Sequence, residues 1–246
     1  MRIAIATALS NSHILFLDHL VKSIKHHSPD FNLDWFIFCN PDDDTTKFNL
    51  SVNNRKHALS LYPFKITHVD PEAYAKQGKG FPIYYSLECF NLEGYDRVVY
   101  FDSDLLAMQD IKGLLSYVET IDGIGMAREL RRDSYNAGTI IVGPKFLNAK
   151  TYQDLMGFPH ESPQFDNVFG HDQKILNCYF RDRITLIPHK FDVMVTETEC
   201  MLRSDIVFLH YFLKPNMDVS RNRLEEWQKR EWDQYDDPQG RYNGID

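Results

Sequence analysis

The sequence lacks a basic surplus. Asp and Glu number 35 against 27 Lys and Arg, a formal net charge of −8 over 246 residues. Nucleic acids and anionic membrane surfaces draw affinity from surplus cations, so neither is expected as a partner. A local basic pocket for one small anion stays open. No apolar run approaches the ~18 residues of a membrane span. The opening MRIAIATALS has too short an apolar run, and the wrong flanks, for a signal peptide. The four cysteines, Cys39, Cys89, Cys178 and Cys200, form no CxxC pair and no zinc spacing. They read as reduced, mostly buried thiols, and the protein as soluble and cytoplasmic. GxGxxG is missing, which removes the dinucleotide fingerprint. There is no internal repeat and no linker, so one domain is expected over residues 1–235, with a polar tail over 236–246.

What is present is an alternation of strands and helices, which predicts an α/β domain with a central sheet flanked by helices. Buried strands are expected at Ile3–Thr7, Asp34–Cys39, Phe64–His68 and Val98–Phe101, and further strands at Ile124–Ala127, Thr139–Val142, Ile184–Ile187 and Val207–Leu209. After the first strand, Ser10, Asn11 and Ser12 can cap a helix carrying Ile14, Leu17, Leu20, Val21 and Ile24 at helical spacing. Further helices are expected up to about Ser60, over Ile83–Leu92, Ile111–Val118, from Pro144 to about Met156, over His171–Phe180, and over Leu224–Trp232. Asn40–Asp44, Lys76–Pro82 (mobile) and Gly157–Gly170 read as loops.

Four stretches carry chemistry. In RVVYFDSDLL a buried strand stops at Asp102 and Asp104. Residues two apart in an extended chain share a side, and two acids there repel unless a cation lies between them. Hard carboxylates at the end of a central strand suit Mn²⁺ or Mg²⁺ bridging to phosphate. Turn or cap aspartates are the alternative. In YNAGTIIVG, Asn136 and the small residues after it precede a strand. They let a ligand approach the backbone, or simply form a turn. Asp172 and Gln173 open a helix, where an acid can complement the dipole or face a polyhydroxyl ligand. In HYFLKP, His210 is a third metal ligand or a buried structural histidine, and Lys214 a point charge for a diphosphate.

The order of these stretches resembles the glycogenin-like family of retaining glycosyltransferases, family 8, which includes bacterial lipopolysaccharide galactosyl- and glucosyltransferases. The resemblance runs from about Ile3 to Pro215 and is densest in YYSLECFNLEGYDRVVYFDSDLLAMQDI, in DQKILNCYF and in ITLIPHKFDV. It implies a GT-A fold with a Rossmann-like mixed sheet, Mn²⁺ (or Mg²⁺) as cofactor, and a nucleotide-diphosphate sugar, usually UDP-linked, as donor. By motif position Asp102, Asp104 and His210 would hold the metal, and Thr7, Leu9, Ser10 and His13 the base and ribose. Ser103, Asn136, Ala137 and Gly138 would face the donor, Asp172 and Gln173 would take the catalytic positions, and Lys214 the diphosphate.

Three departures stand out. Ser86 replaces a common Lys or Arg, with Lys76 or Lys79 to compensate. The motif before Lys214 is shortened and lacks its glycine, and Phe169 replaces a frequent Asp. The implied activity is metal-dependent sugar transfer with retained configuration. The competing readings are a sugar-nucleotide hydrolase or nucleotidyltransferase, and a degenerate sugar-nucleotide-binding module. The acceptor is not identified; the 158–170 loop, Trp227 and Trp232 are candidate contacts, although packing suits the tryptophans better. Self-association is left open.

Overall fold

A computed structural model describes residues 1–10, 13–42, 64–159, 171–212 and 221–235. The expected Asn11–Ser12 cap, the helix to Ser60, residues 160–170 of the expected loop with Phe169, Lys214 and the 236–246 tail lie outside those residues.

Strands β1 (Ile3–Ala8), β2 (Asp34–Cys39), β3 (Phe64–His68) and β4 (Arg97–Phe101) are the continuous apolar runs of the sequence. They pair in parallel in the order β3-β2-β1-β4. β7 (Tyr135–Val142) joins β4 antiparallel, and β6 (Ile124–Arg128) and β8 (Ile184–Ile187) complete a seven-stranded mixed sheet. Such runs lack polar alternation because both faces are covered. On one face Ile5, Val99, Phe101 and Ile141 meet Leu17, Leu20, Val21 and Ile24 of α1 (Ile14–His27) and Leu114 and Val118 of α3 (Lys112–Thr120). On the other, Ala4, Ala6, Val98, Tyr100 and Ile140 meet the 82–91 segment, Leu155 of α4 (Ala149–Gly157) and Leu176 of α5 (Asp172–Phe180).

A second, three-stranded sheet decides the site. Its members β5 (Leu105–Ala107), β9 (Val193–Met194) and β10 (Phe208–His210) run in the order β5-β10-β9. β5 and β9 have only three and two residues, too short for a periodic signal, and were not expected. His210 pairs across from Leu105 on one side and Met194 on the other.

Other local expectations are corrected. The helix expected over Ile83–Leu92 forms as a 3₁₀ helix over Pro82–Asn91. Three residues per turn set Tyr84, Leu87 and Phe90 in one line against the core, and Ser86 and Cys89 in a second. The helix after Pro144 starts at Ala149, because the Asn148 side chain accepts from the Thr151 N–H at 2.9 Å and caps it there. YNAG is no turn before a strand: β7 begins at Tyr135. Its register against β6 shifts between Met126 and Ala127, so residues 137–139 bulge. The Lys76–Pro82 loop is anchored: Lys79 is 1% exposed and donates to Met156 O at 2.6 Å and Phe158 O at 2.8 Å.

The C-terminal α6 (Glu226–Asp233) carries a capping box between Glu225 and Gln228 and seats Trp232 against Phe16, His19 and Tyr211. Trp232 is 3% exposed, so it packs and is not a surface for an acceptor. Trp232→Ala is expected to cost about 3–5 kcal/mol in urea denaturation, the range for truncating a buried aromatic.

Candidate metal and donor site

β1 is followed outward by β2 and β3, and the chain then returns to its other side as β4. The carboxyl ends of β1 and β4 therefore flank a topological switch point, where open α/β sheets collect ligands. Ser10 and His13 follow β1, and Asp102 and Asp104 follow β4.

The two acids converge through a tight turn after β4, with Leu105 N–H on Asp102 O at 3.2 Å, instead of along an extended strand. Tyr211 N–H donates to Asp104 O at 2.9 Å and ties β10 to that turn. His210 Nε2 then lies 3.2 Å from Asp104 Oδ1 and 3.6 Å from Asp102 Oδ2. One ligand atom from each residue lies within 4.8 Å of the others. No lysine or arginine pairs with Asp102, Asp104, Asp172 or Asp192 among the described residues. Two carboxylates and an imidazole, with no lysine or arginine on them among the described residues, fit a hard divalent ion.

The electrostatics carry the same mark. Burial and the adjacent Asp104 charge push the Asp102 carboxyl well above its ordinary range. Burial would raise Asp104 as well, but the His210 charge beside it prevails and holds it low. Burial disfavours a charged His210, yet Asp104 and Asp192 retain its proton and put its pKa well above the usual value.

Several of the other expected residues are joined to this cluster by hydrogen bonds, while Lys214 lies outside the described residues. Asp102 N–H donates to Gly138 O at 2.8 Å, which fixes the bulge of β7 to the metal turn. Ser103 is buried between the two acids. Gln173 Oε1 accepts from Ala137 N–H at 3.2 Å, while its buried Nε2 has no partner among the described residues. Asp172 accepts from Ser86 Oγ at 2.6 Å and Gln173 N–H at 2.8 Å. Burial raises its pKa. Ser86 thus meets Asp172 directly with a neutral donor. Lys79 does not compensate for the missing cation, because its ammonium is spent on carbonyls at the end of α4. Lys76 lies in the last turn of α2 (Pro71–Lys76). Thr7 is fully buried, its hydroxyl without a partner among the described residues. Leu9 is a core residue, and Ser10 Oγ holds His13 Nδ1 at 2.8 Å. Asn136 turns its amide toward Asp192 and His210.

Sequence reasoning missed Tyr100 and Asp192. Tyr100 donates its hydroxyl to Asp102 Oδ1 at 2.9 Å. Its two-residue offset on β4 was the available signal. Asp192 lies 18 residues before His210, with no local pattern to mark it.

The model of glycosyl transferase family 8 matches residues 4–215. The chain belongs to that family. Among solved structures it is similar to the galactosyltransferase LgtC, determined with donor and acceptor sugar analogs: TM-score 0.73, 18% identity, 96% of this chain and 95% of that one. It is also similar to GlyE of Streptococcus pneumoniae, at TM-score 0.66 and 18% identity over 96% of this chain and 60% of that one. Mouse xyloside xylosyltransferase 1 matches at TM-score 0.56 and 11% identity over 85% and 96%. The fold is the GT-A fold of LgtC. No curated protein sequence matches the chain.

Asp102 and His210 hold protons more tightly in the folded, metal-free chain than in the unfolded one. That contribution to stability is present at low pH and lost as pH rises through the raised folded values. Asp104, shifted downward, loses its contribution only in acid. A divalent cation must displace protons from Asp102 and His210, so the rise in Tm with Mn²⁺ is expected to grow between about pH 6 and about pH 8. Thermal-shift titration across that window checks it; a rise that shrinks would contradict the assignment.

Proposed function

We propose that the chain is a retaining hexosyltransferase that moves a sugar from a nucleotide-diphosphate sugar, UDP-linked, to an acceptor hydroxyl. The observation that carries this reading is the Asp102–Asp104–His210 cluster, set at the switch point of a family 8 chain. Bound there, Mn²⁺ (or Mg²⁺) would act as a Lewis acid that neutralises charge on the departing diphosphate.

The chain's own residues divide the rest of the work. Thr7, Leu9, Ser10 and His13, at the end of β1, receive base and ribose. Ser103, Ala137 and Gly138 line the donor, with Asn136 beside them. Gln173 keeps Oε1 on the Ala137 N–H, which leaves Nε2 to donate to a sugar oxygen. That supports a positioning role for Gln173 over attack on the sugar. Asp172, held by Ser86 and the Gln173 N–H, supplies negative charge near a sugar that gains oxocarbenium character. Lys214 would meet the diphosphate. No described helix is long and apolar enough to cross a membrane. All four cysteines are free thiols, which favours a reducing, cytoplasmic setting.

One observation favours a second reading, a binding module without turnover. Ser86 puts a neutral hydroxyl on Asp172 where a lysine or arginine would put a charge. Product analysis separates the readings. With Mn²⁺, a UDP-hexose and an acceptor panel, the transferase gives a glycoside of retained anomeric configuration by NMR. Free sugar, pyrophosphate or bound but unconverted donor would contradict it. Asp104→Ala, or EDTA, is expected to lower turnover by roughly 10²–10³, the scale for losing one transition-state charge stabiliser.

A further inference from the structure

A metal-binding imidazole is governed by the nitrogen that faces away from the ion, because the partner of that nitrogen sets the tautomer and the ring angle. In this chain the outward nitrogen, His210 Nδ1, lies 2.9 Å from Asp192 Oδ1. Asp192 is 1% exposed. Its other donors come from one short stretch: Asn136 Nδ2 reaches Oδ1 at 3.1 Å, and the Thr139 N–H reaches Oδ2 at 2.8 Å.

Asn136 Nδ2 also stands 3.3 Å from His210 Nδ1, so two proton arrangements compete. With Nδ1 bare, the amide would donate to it, and the Asp192 oxygen would face a lone pair at 2.9 Å. With Nδ1 protonated, imidazole and amide both donate to Asp192, and no two lone pairs oppose. Only the second satisfies every atom. The amide cannot turn round, because Asn136 Oδ1 accepts from the Gly138 N–H at 3.1 Å. A Cβ on Gly138 would fall 2.5 Å from His210 Cε1 and Nδ1 and 2.9 Å from Asp192 Oδ1. The glycine is therefore the space in which the pair sits.

We infer that Asp192 is a positioning residue that holds His210 with Nε2 turned toward Asp102 and Asp104, in a seat built by Asn136, Gly138 and Thr139. The inference rests on the metal role proposed for Asp102, Asp104 and His210. It gives the 136–139 stretch of β7 a task besides sugar recognition: it shapes a metal ligand from behind.

Mn²⁺ binding tests it without reference to turnover. In Asp192→Asn, of nearly the same shape, the carboxylate that fixes Nδ1–H is gone. Free Mn²⁺ counted by EPR should show Kd raised about 10- to 100-fold, the usual effect of losing such a partner. The ¹⁴N modulation of a coordinated imidazole in spin-echo spectra of the bound ion should weaken or vanish, a signal that a purely structural role for Asp192 would leave in place. Should Asp192→Asn not fold, Gly138→Ala serves instead. Its methyl displaces the ring while every donor remains, and the same loss of ¹⁴N modulation is expected. A variant that keeps both wild-type Mn²⁺ affinity and the imidazole signal overturns the inference. Wild-type protein that binds no Mn²⁺ overturns the metal assignment itself, a different result.

Discussion

The constraint on which the structure turns is the mutual repulsion of Asp102 and Asp104. Their ligand atoms and that of His210 lie within 4.8 Å of one another. At an effective dielectric of about 20, two like charges at that separation repel by roughly 3 kcal/mol or more. A protonated His210 offsets part of this, and Asp172 and Asp192 add to the negative field nearby. Among the described residues no fixed lysine or arginine relieves it. A cluster of this kind, with no lysine or arginine on it among the described residues, could hold a divalent ion.

Each layer of the architecture serves that cluster. The parallel run of β3, β2, β1 and β4 opens a crevice at the ends of β1 and β4. The small sheet then brings in residues distant in sequence: β10 delivers His210, and β9 follows Asp192. The bulge in β7 joins the two sheets, since Gly138 O takes the Asp102 N–H while the space above Gly138 admits the imidazole. The Asp102–Asp104 turn and the 136–139 stretch are thus coupled through a few backbone atoms. Strain in the 136–139 stretch would reach both.

Much of this was legible in the sequence. The central strands are continuous apolar runs, and α1 declares itself by Leu17, Leu20, Val21 and Ile24. Asp102, Asp104 and His210 were nameable because strand ends and residue chemistry pointed at them together. Asp192 was not, since its meaning comes from a ring 18 residues away, brought near by the pairing of β10 with β9, whose two residues are too few to leave a pattern. The helix expected from Pro144 forms but starts at Ala149, because Asn148 is the better cap. The role imagined for Lys79 failed because charge alone does not say where a flexible side chain goes; burial against Met156 O and Phe158 O does.

The central claim is that one divalent ion binds between the two aspartates and the histidine. Anomalous diffraction at the manganese edge, from crystals grown with Mn²⁺ and UDP, tests it most directly. The account predicts one strong peak in contact with Asp102, Asp104 and His210 Nε2, with diphosphate density against it. A peak elsewhere, or nucleotide bound with no peak among these three residues, would contradict it.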